Sequence, residues 1–318
     1  MTPPRYILKF VLLITCALFV LPGALLLWLL GGAVADPVSG FEERKGELVS
    51  ASQTSIQELP DSTLREISLL SSSGLEVEIA LREPTLPLPG KPLLVIMGGQ
   101  ETGRAAAHLI PEVHGVTVAA LSYPFGVIAH RDGLAMTLAL RRIQRGILDT
   151  TPSVMLALDY LLAQPGLGTN QVELAGISFG AFIASVPGAI DERFQRVWLI
   201  HGATQPARVI ENGLEGRMSP RWLRQLVANT LAFTAAAHHL SSEHWVREIS
   251  PRPVMVISAS ADDAVPEDTV SALHARLRQP YEIFWTEGQH VHPKRPEVVQ
   301  AIVDIMFGRI VTEGTRVQ

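Results

Sequence analysis

The chain has 318 residues, of which 47% are hydrophobic and 18% are charged, and its formal net charge is −5. This composition can fill an apolar core, which excludes a mainly disordered protein. No basic cluster of the kind that binds nucleic acid is present, so nucleic acid is not expected as a partner. The single cysteine, Cys16, excludes an internal disulfide framework and a cysteine-built zinc site.

The N-terminal segment carries the pattern of an export signal. Arg5 and Lys9 come before the almost wholly apolar residues 10–30, and Ala33-Val34-Ala35 follows as a small-x-small cleavage pattern. A signal peptide over residues 1–35 fits the basic start and this cleavage pattern. A membrane anchor through residues 7–30 fits the length of the apolar run. Both interpretations predict a folded domain outside the cytoplasm, either periplasmic, extracellular or membrane-anchored.

The next part of the chain, residues 36–60, is polar and lacks apolar periodicity, so it is interpreted as a linker. The folded domain is expected over residues 61–318. It opens with a pattern in which Leu75, Val77, Ile79 and Leu81 alternate with other residues, which predicts a strand. A turn at residues 71–74 comes before this strand, so an N-terminal β-hairpin with residues 63–70 is predicted.

Short apolar runs and helical patterns then alternate along the chain. The runs predict strands at residues 93–97, 116–121, 172–175, 197–200, 254–258 and 281–285. Helical spacing is found at residues 154–162, 179–186, 267–277 and 296–307. This alternation is typical of an α/β fold with a mostly parallel central sheet and helices on both faces.

One helical insert, residues 205–249, interrupts the alternation before the penultimate strand. It contains Ser219-Pro220, a good helix start, and it is too long for a simple crossover. Two interpretations stay open: a lid or cap over the site, or an ordinary crossover helix with extra packing.

The main chemical motif is Gly176-Ile177-Ser178-Phe179-Gly180, which fits the pattern G-x-S-x-G. A predicted strand comes directly before it and a helix rich in small residues follows. A serine on such a tight strand-to-helix turn projects its hydroxyl away from the backbone, and the crowded turn requires small residues two positions away on each side. Ser178 is therefore the candidate nucleophile, with Gly176 and Gly180 forming the elbow around it.

A serine nucleophile needs a base, and the base needs an orienting acid. With the elbow in this context, the chain resembles the α/β-hydrolase superfamily from about Leu75 to Phe307. Its stretch from Ala157 to Gly180 is similar to the dienelactone-hydrolase and acyl-esterase branch. The resemblance implies the chain order serine, acid, histidine.

The acid implied by this resemblance follows the strand at 254–258. The family pattern D-x-x-V-P falls on Asp262, and Asp263 is the alternative because a loop can present either carboxylate. The base follows the last strand, where the family pattern G-x-H falls on His290. His292 is its alternative. The pair His290 and His292 also fits a metal site, but no H-E-x-x-H helix accompanies it, and no metal is expected.

An oxyanion hole requires two N–H donors. The backbone of Phe179, directly after the nucleophile, is the first candidate. The second is Gly99, in the family's H-G-x position, where Met97 replaces the usual histidine; Gln100 is the neighbouring alternative.

The resemblance implies a serine hydrolase that cleaves small-molecule carboxylic esters through an acyl-enzyme on Ser178. Thioesterases, acyltransferases and serine peptidases use the same residues and stay as alternatives. A non-catalytic, membrane-tethered binding module with the same fold is the alternative from another class. No phosphate loop or dinucleotide fingerprint stands out, so no cofactor is expected.

Overall fold

The structure of the protein is a computed structural model, which describes residues 36–126, 133–167 and 171–314 together with Lys9 and Gly23. The predicted signal peptide or anchor otherwise lies outside the described residues. Within these ranges, no helix has the length and apolar character needed to cross a membrane.

The described chain forms a nine-stranded sheet in the order β1-β2-β3-β5-β4-β6-β7-β8-β9. The strands are β1 (Leu48–Glu58), β2 (Ser62–Ser71), β3 (Glu76–Pro84), β4 (Leu93–Met97), β5 (Thr117–Leu121), β6 (Val172–Ile177), β7 (Arg196–Ile200), β8 (Val254–Ala259) and β9 (Tyr281–Thr286). The first three strands pair antiparallel, and β3 joins β5 antiparallel. All further pairs, from β5 to β9, are parallel. The predicted mostly parallel sheet and the N-terminal hairpin, formed by β2 and β3, are confirmed.

The segment interpreted as a linker is instead part of the domain. Phe41 begins a short helix, α1 (Phe41–Lys45), and is 2% exposed. Strand β1 pairs with β2 along its length, although every residue of β1 is exposed. An edge strand of this kind is held by backbone hydrogen bonds, so its side chains need no apolar alternation and the sequence pattern cannot reveal it. The linker interpretation of residues 36–60 is therefore corrected.

Helices cover both faces of the sheet, as predicted. They are α2 (Ala106–Leu109), α3 (Gly133–Leu162), α4 (Phe179–Ile183), α5 (Ser185–Ile190), α6 (Pro206–Gly213), α7 (Arg221–Thr234), α8 (Ala237–Leu240), α9 (Ser242–Trp245), α10 (Glu267–His274) and α11 (Pro296–Gly314). One core includes residues of α3, α4 and α5 with one face of the strands. The other includes residues of α2 and α11 with the opposite face. Each sheet face is thus sealed by its own apolar layer, which keeps the ends of the parallel strands in fixed positions.

Two of the predicted helices differ in extent. The helix predicted at 154–162 is the end of α3, which begins at Gly133 and contains Pro152. Proline removes a backbone donor and usually ends a helix, which hides the preceding turns from a sequence pattern. Here Thr150 and Ser153 donate side-chain hydrogen bonds to the carbonyls four residues earlier, at 2.8 Å each. The helix predicted at 179–186 is divided at Ala184 into α4 and α5.

The insert at 205–249 lies between β7 and β8 and contains α6 to α9, which confirms a helical insert before the penultimate strand. Its first helix is attached to the loop after β8, because Asn212 donates a hydrogen bond to the carbonyl of Ala264 at 3.2 Å. Helix α6 also supplies Val209 to the wall of a cavity in front of Ser178.

Candidate active site

The site is built at the carboxyl ends of the parallel strands, beginning with Ser178 between β6 and α4. Its backbone has φ 55° and ψ −115°, a conformation that an L-residue rarely adopts. The Ser178 N–H donates to the carbonyl of Ile200 on the neighbouring strand β7 at 2.8 Å, which fixes the turn against the sheet. The strained turn directs the hydroxyl away from the strand, as the elbow motif predicts.

The two glycines of the elbow are required by close backbone approach. A Cβ at position 180 would lie 2.0 Å from the carbonyl oxygen of Met97. A Cβ at position 176 would lie 2.5 Å from the Cβ of Ala184 and 2.6 Å from the carbonyl oxygen of Gly180. Neither space admits a methyl group unless backbone moves, so the motif's small residues let helix α4 start directly against β4 and β6.

Three predicted residues meet at this turn. The Ser178 Oγ and the His290 Nε2 are 2.7 Å apart, and the His290 Nδ1 and the Asp262 Oδ2 are 2.8 Å apart. Asp262 follows β8 and His290 follows β9, so three parallel strands bring together residues up to 112 positions apart. The nucleophile, base and acid predicted from sequence thus form a continuous hydrogen-bonded chain.

The two aspartates of the β8 loop have different environments. The Asp262 side chain is 7% exposed and receives the Ala264 and Val265 N–H groups on Oδ1 at 2.9 and 2.8 Å, while Oδ2 faces His290. The Asp263 side chain is 42% exposed and pairs with Arg295 at 2.9 Å. Asp263 also accepts the backbone N–H of His290 at 3.2 Å. Asp262 therefore contacts the imidazole of His290, whereas Asp263 binds the backbone N–H of the same residue.

The charge of Asp262 is maintained by its hydrogen bonds. Burial raises the pKa of this carboxyl, but the hydrogen bond from His290, the attraction of the imidazole in its protonated form and the two backbone N–H groups outweigh burial, so the pKa lies below its ordinary value. A carboxylate that stays ionised near neutral pH fixes the imidazole with its proton on Nδ1 and leaves Nε2 as the acceptor for the serine proton.

The alternative base lies elsewhere. His292 is exposed, and its Nδ1 accepts the backbone N–H of Lys294 at 3.1 Å. It lines the mouth of the cavity in front of Ser178, whereas the imidazole within hydrogen-bonding distance of Ser178 is that of His290.

A second imidazole, that of His201, borders this chain of hydrogen bonds. It follows β7, is 2% exposed, and its ring centre lies 5.5 Å from that of His290. Burial is the main cause that lowers the pKa of His201 to about 4. The protonated form of His290 lowers this pKa further, and the carboxylate of Asp262 opposes the shift. His201 is therefore neutral at neutral pH, and it contacts the loop of His290 without competing for the charge of Asp262.

One donor atom each from His201, Asp262 and His290 lies within 4.8 Å of the others, which is a spacing that a metal ion can use. Each ring nitrogen of the two histidines already has a protein partner, however. His290 contacts Ser178 and Asp262, and His201 contacts Thr286 and the Val291 N–H. A metal ion bound here would have to displace these hydrogen bonds.

The loop after β4 lies beside the nucleophile, as the predicted oxyanion hole requires. A Cβ at position 99 would be 3.9 Å from the Cβ of Ser178. The Gly99 carbonyl accepts the N–H groups of Thr102 and Gly103 at 3.0 and 2.9 Å, so it is turned into its own loop. Phe179 is the first residue of α4, and its N–H has no acceptor within that helix. Gly99 and Phe179, the residues predicted to supply the two backbone donors, both line the cavity in front of Ser178.

Three residues, Tyr123, Met97 and Gln100, lie in or against the loop after β4. The Tyr123 hydroxyl, after β5, donates a hydrogen bond to the Gly98 carbonyl at 2.5 Å and so holds this loop, a contact that was not predicted from the sequence. Met97, which replaces the expected histidine, is 1% exposed and belongs to the core. Among the described residues, the Gln100 side-chain nitrogen is buried and has no hydrogen-bond partner, which leaves a donor at the cavity mouth.

Comparison with known proteins gives a likeness in structure alone, since no family model and no curated protein matches the sequence. An acetyl xylan esterase from Paenibacillus sp. R4 matches with a TM-score of 0.60 and 15% identity, over 85% of this chain and 99% of that one. A cold-adapted esterase from an Arctic intertidal metagenomic library has a TM-score of 0.56 and 17% identity, over 82% and 99%. The alpha/beta hydrolase GrgF from Penicillium sp. sh18 has a TM-score of 0.57 and 15% identity, over 81% and 99%. The chain has the fold of the α/β hydrolases.

Proposed function

From this α/β-hydrolase fold and the site at its strand ends, we propose that the protein is a serine hydrolase that cleaves carboxylic esters through an acyl-enzyme on Ser178. The observation that carries the proposal is the hydrogen-bonded chain from Ser178 through His290 to Asp262. Two of its structural neighbours are esterases, which supports ester bonds as the substrate class.

In the first half of the proposed reaction, the Ser178 Oγ attacks the ester carbonyl carbon while its proton passes to the His290 Nε2. The negative charge that develops on the carbonyl oxygen is stabilised by the backbone N–H groups of Phe179 and Gly99. Asp262 stabilises the imidazolium that forms. Collapse of the tetrahedral intermediate breaks the bond to the alkoxy oxygen, which takes the proton from His290 and leaves as the alcohol.

In the second half, a water molecule attacks the acyl carbon, and His290 takes a proton from this water. The acyl-oxygen bond to Ser178 then breaks, the proton returns to the serine, and a carboxylic acid is released. The proton transfer between the Ser178 Oγ and the His290 Nε2 uses two atoms that already lie 2.7 Å apart, which is the hydrogen-bonding distance that general-base catalysis requires.

The test is hydrolysis of p-nitrophenyl butyrate by the full chain and by Ser178→Ala. Removal of the nucleophile should lower kcat by about 10⁴-fold or more, while the melting curve stays cooperative. Full turnover by a folded Ser178→Ala variant would refute the proposal. A fluorophosphonate probe should label Ser178 in the wild-type chain, whereas a binding module would leave it unlabelled.

A matched set of ester, thioester and peptide substrates separates ester hydrolysis from the alternatives that use the same residues. We expect kcat/KM to be highest for the ester. A higher value for the thioester or the peptide would reassign the bond while keeping the nucleophile.

We also propose that the catalytic domain lies outside the cytoplasm, supported by the basic, apolar and small-residue pattern of residues 1–35. Cell fractionation together with mass measurement of the mature chain tests this. A full-length chain recovered in the cytosolic fraction would contradict it.

A further inference from the structure

A cavity of about 390 Å³ opens at Ser178 and continues between α2 and α11. Its mouth carries polar groups, including Ser178, His290 and Gln100. We name the deeper part the α2–α11 crevice and define it by the residues that line it: Ala106, Leu109, Ile110, Val299, Ile302, Val303 and Met306.

The walls of the α2–α11 crevice are apolar throughout. On α11, Val299, Ile302, Val303 and Met306 are spaced so that they share one helix face, which is turned to the cavity. Ile302, Val303 and Met306 are each 3% exposed or less, so the crevice extends into the core. Every side chain in its definition is a hydrocarbon or a thioether. A sugar or a charged group placed here would lose its hydrogen bonds to water without replacement, at a large cost.

The position of the crevice relates it to one part of the substrate. Helix α2 follows the loop that contains Gly99, and α11 follows the loop that contains His290. The crevice therefore begins between the two groups that act on the carbonyl. The alcohol must leave after it takes the proton from His290, whereas the acyl group stays bound to Ser178 until water arrives. A crevice that ends in the core is therefore a better binding site for the acyl group, which stays attached to Ser178, than for the alcohol, which must leave.

Resting on the proposed function, we propose that the α2–α11 crevice binds the acyl chain and that the preferred substrates are esters of unbranched, medium-length fatty acids. Each methylene that enters the crevice leaves water for an apolar wall, which favours longer chains up to the crevice length. An acetyl group leaves most of the crevice unoccupied.

The first experiment compares kcat/KM of the full chain for p-nitrophenyl acetate, butyrate and octanoate, with Ser178→Ala as the blank. The value for octanoate should exceed that for acetate by at least about tenfold, because methylene contacts in an apolar pocket discriminate by this much or more. Equal values, or a preference for acetate, would overturn the acyl-chain proposal. In that case, activity that is lost in Ser178→Ala would still support the proposed serine hydrolase. The acyl-chain proposal and the proposed function can therefore be refuted independently.

The second experiment fills the crevice. Val303→Phe narrows its interior, and Val299→Phe, at a partly exposed position, narrows it nearer the mouth. Ile305→Phe is the matched control, because Ile305 lies on the same helix, is partly exposed and does not line the cavity. The octanoate-to-acetate ratio should fall about tenfold in both crevice variants and stay at the wild-type value in the control.

An unchanged ratio in the crevice variants would overturn the proposal. If Val303→Phe does not fold, as a melting curve shows, Val299→Phe decides. A comparison of ethyl acetate with octyl acetate tests the opposite orientation, in which the crevice binds the alcohol. If kcat/KM is higher for octyl acetate and Val299→Phe removes this difference, the crevice binds the alcohol and the acyl assignment is refuted.

Discussion

The imidazole of His201 accepts a hydrogen bond from the backbone N–H of Val291, with 2.8 Å between Nδ1 and the backbone nitrogen. The opposite ring nitrogen, Nε2, contacts the Thr286 hydroxyl at 2.9 Å. Val291 directly follows His290, so this hydrogen bond fixes the loop that presents the base to Ser178. Only a neutral imidazole has the lone pair on Nδ1 that this arrangement requires.

His201 is thus expected to act as a positioning residue. His201→Phe keeps a ring but removes the acceptor, so the N–H of the partly buried Val291 loses its partner and kcat should fall by about 10- to 100-fold. His201→Asn keeps a side-chain oxygen near the former Nδ1 and should recover a large part of the loss. Steady-state kinetics on a short p-nitrophenyl ester give the comparison. Equal losses in the two variants, or no loss in His201→Phe, would contradict the positioning role.

The same residue predicts a pH dependence of stability. The folded-state pKa of His201, about 4, lies below its ordinary value of 6.5. Between these values the unfolded chain binds the proton and the folded chain does not, so stability rises with pH across this window. The stabilisation is complete above pH 6.5 and is lost as the pH falls towards 4, a change of roughly 3 kcal/mol. The titratable groups that face His201 are His290 and Asp262.

Urea unfolding of the wild-type chain and of His201→Asn at pH 7.0, 6.0, 5.0 and 4.5 measures this contribution. The wild-type free energy of unfolding should fall more steeply on acidification than that of the variant. Parallel curves would show that His201 does not resist protonation in the folded chain.

Asp262 and Asp263 form a matched pair of adjacent carboxylates with different contacts. Asp262→Asn removes the charge that holds the proton on Nδ1 of His290, so kcat should fall by about 10³- to 10⁴-fold. Asp263→Asn weakens the exposed ion pair with Arg295 and one backbone hydrogen bond, so kcat should fall by no more than about tenfold. Kinetics of both variants, with melting temperatures to confirm folding, make the test. A larger loss in Asp263→Asn would reverse the assignment.

The sequence predicts the elements that depend on apolar patterning or local turn chemistry. The central strands, the hairpin and the elbow at Ser178 follow from such patterns, and the ends of each of these strands were located to within three residues. Strand β1 lacks an apolar face, and Pro152 conceals the start of α3. Strand β1 is held by its backbone pairing with β2, and a proline usually ends a helix, so neither element leaves a complete periodic signal in the sequence.

The choice between Asp262 and Asp263 also required coordinates, because it depends on which carboxylate the Ala264 and Val265 N–H groups orient. Two supporting residues, His201 and Tyr123, were missed. Each lies at the carboxyl end of a parallel strand, as the residues of the predicted site do. A polar or titratable residue within two positions of such a strand end was therefore the available signal.

The strained backbone of Ser178 predicts a conflict between stability and activity. At φ 55° and ψ −115° a residue with a Cβ is unfavourable, and glycine adopts such angles readily. Ser178→Ala and Ser178→Gly both lack the nucleophile, but only the glycine variant relieves the strain. Its free energy of unfolding should exceed that of Ser178→Ala by about 1 kcal/mol or more, despite the greater flexibility of glycine in the unfolded chain. Urea unfolding of the two inactive variants at one pH gives this difference directly, since both lack the hydrogen bond to His290. A glycine variant less stable than the alanine variant would show that the turn imposes no net strain on its serine.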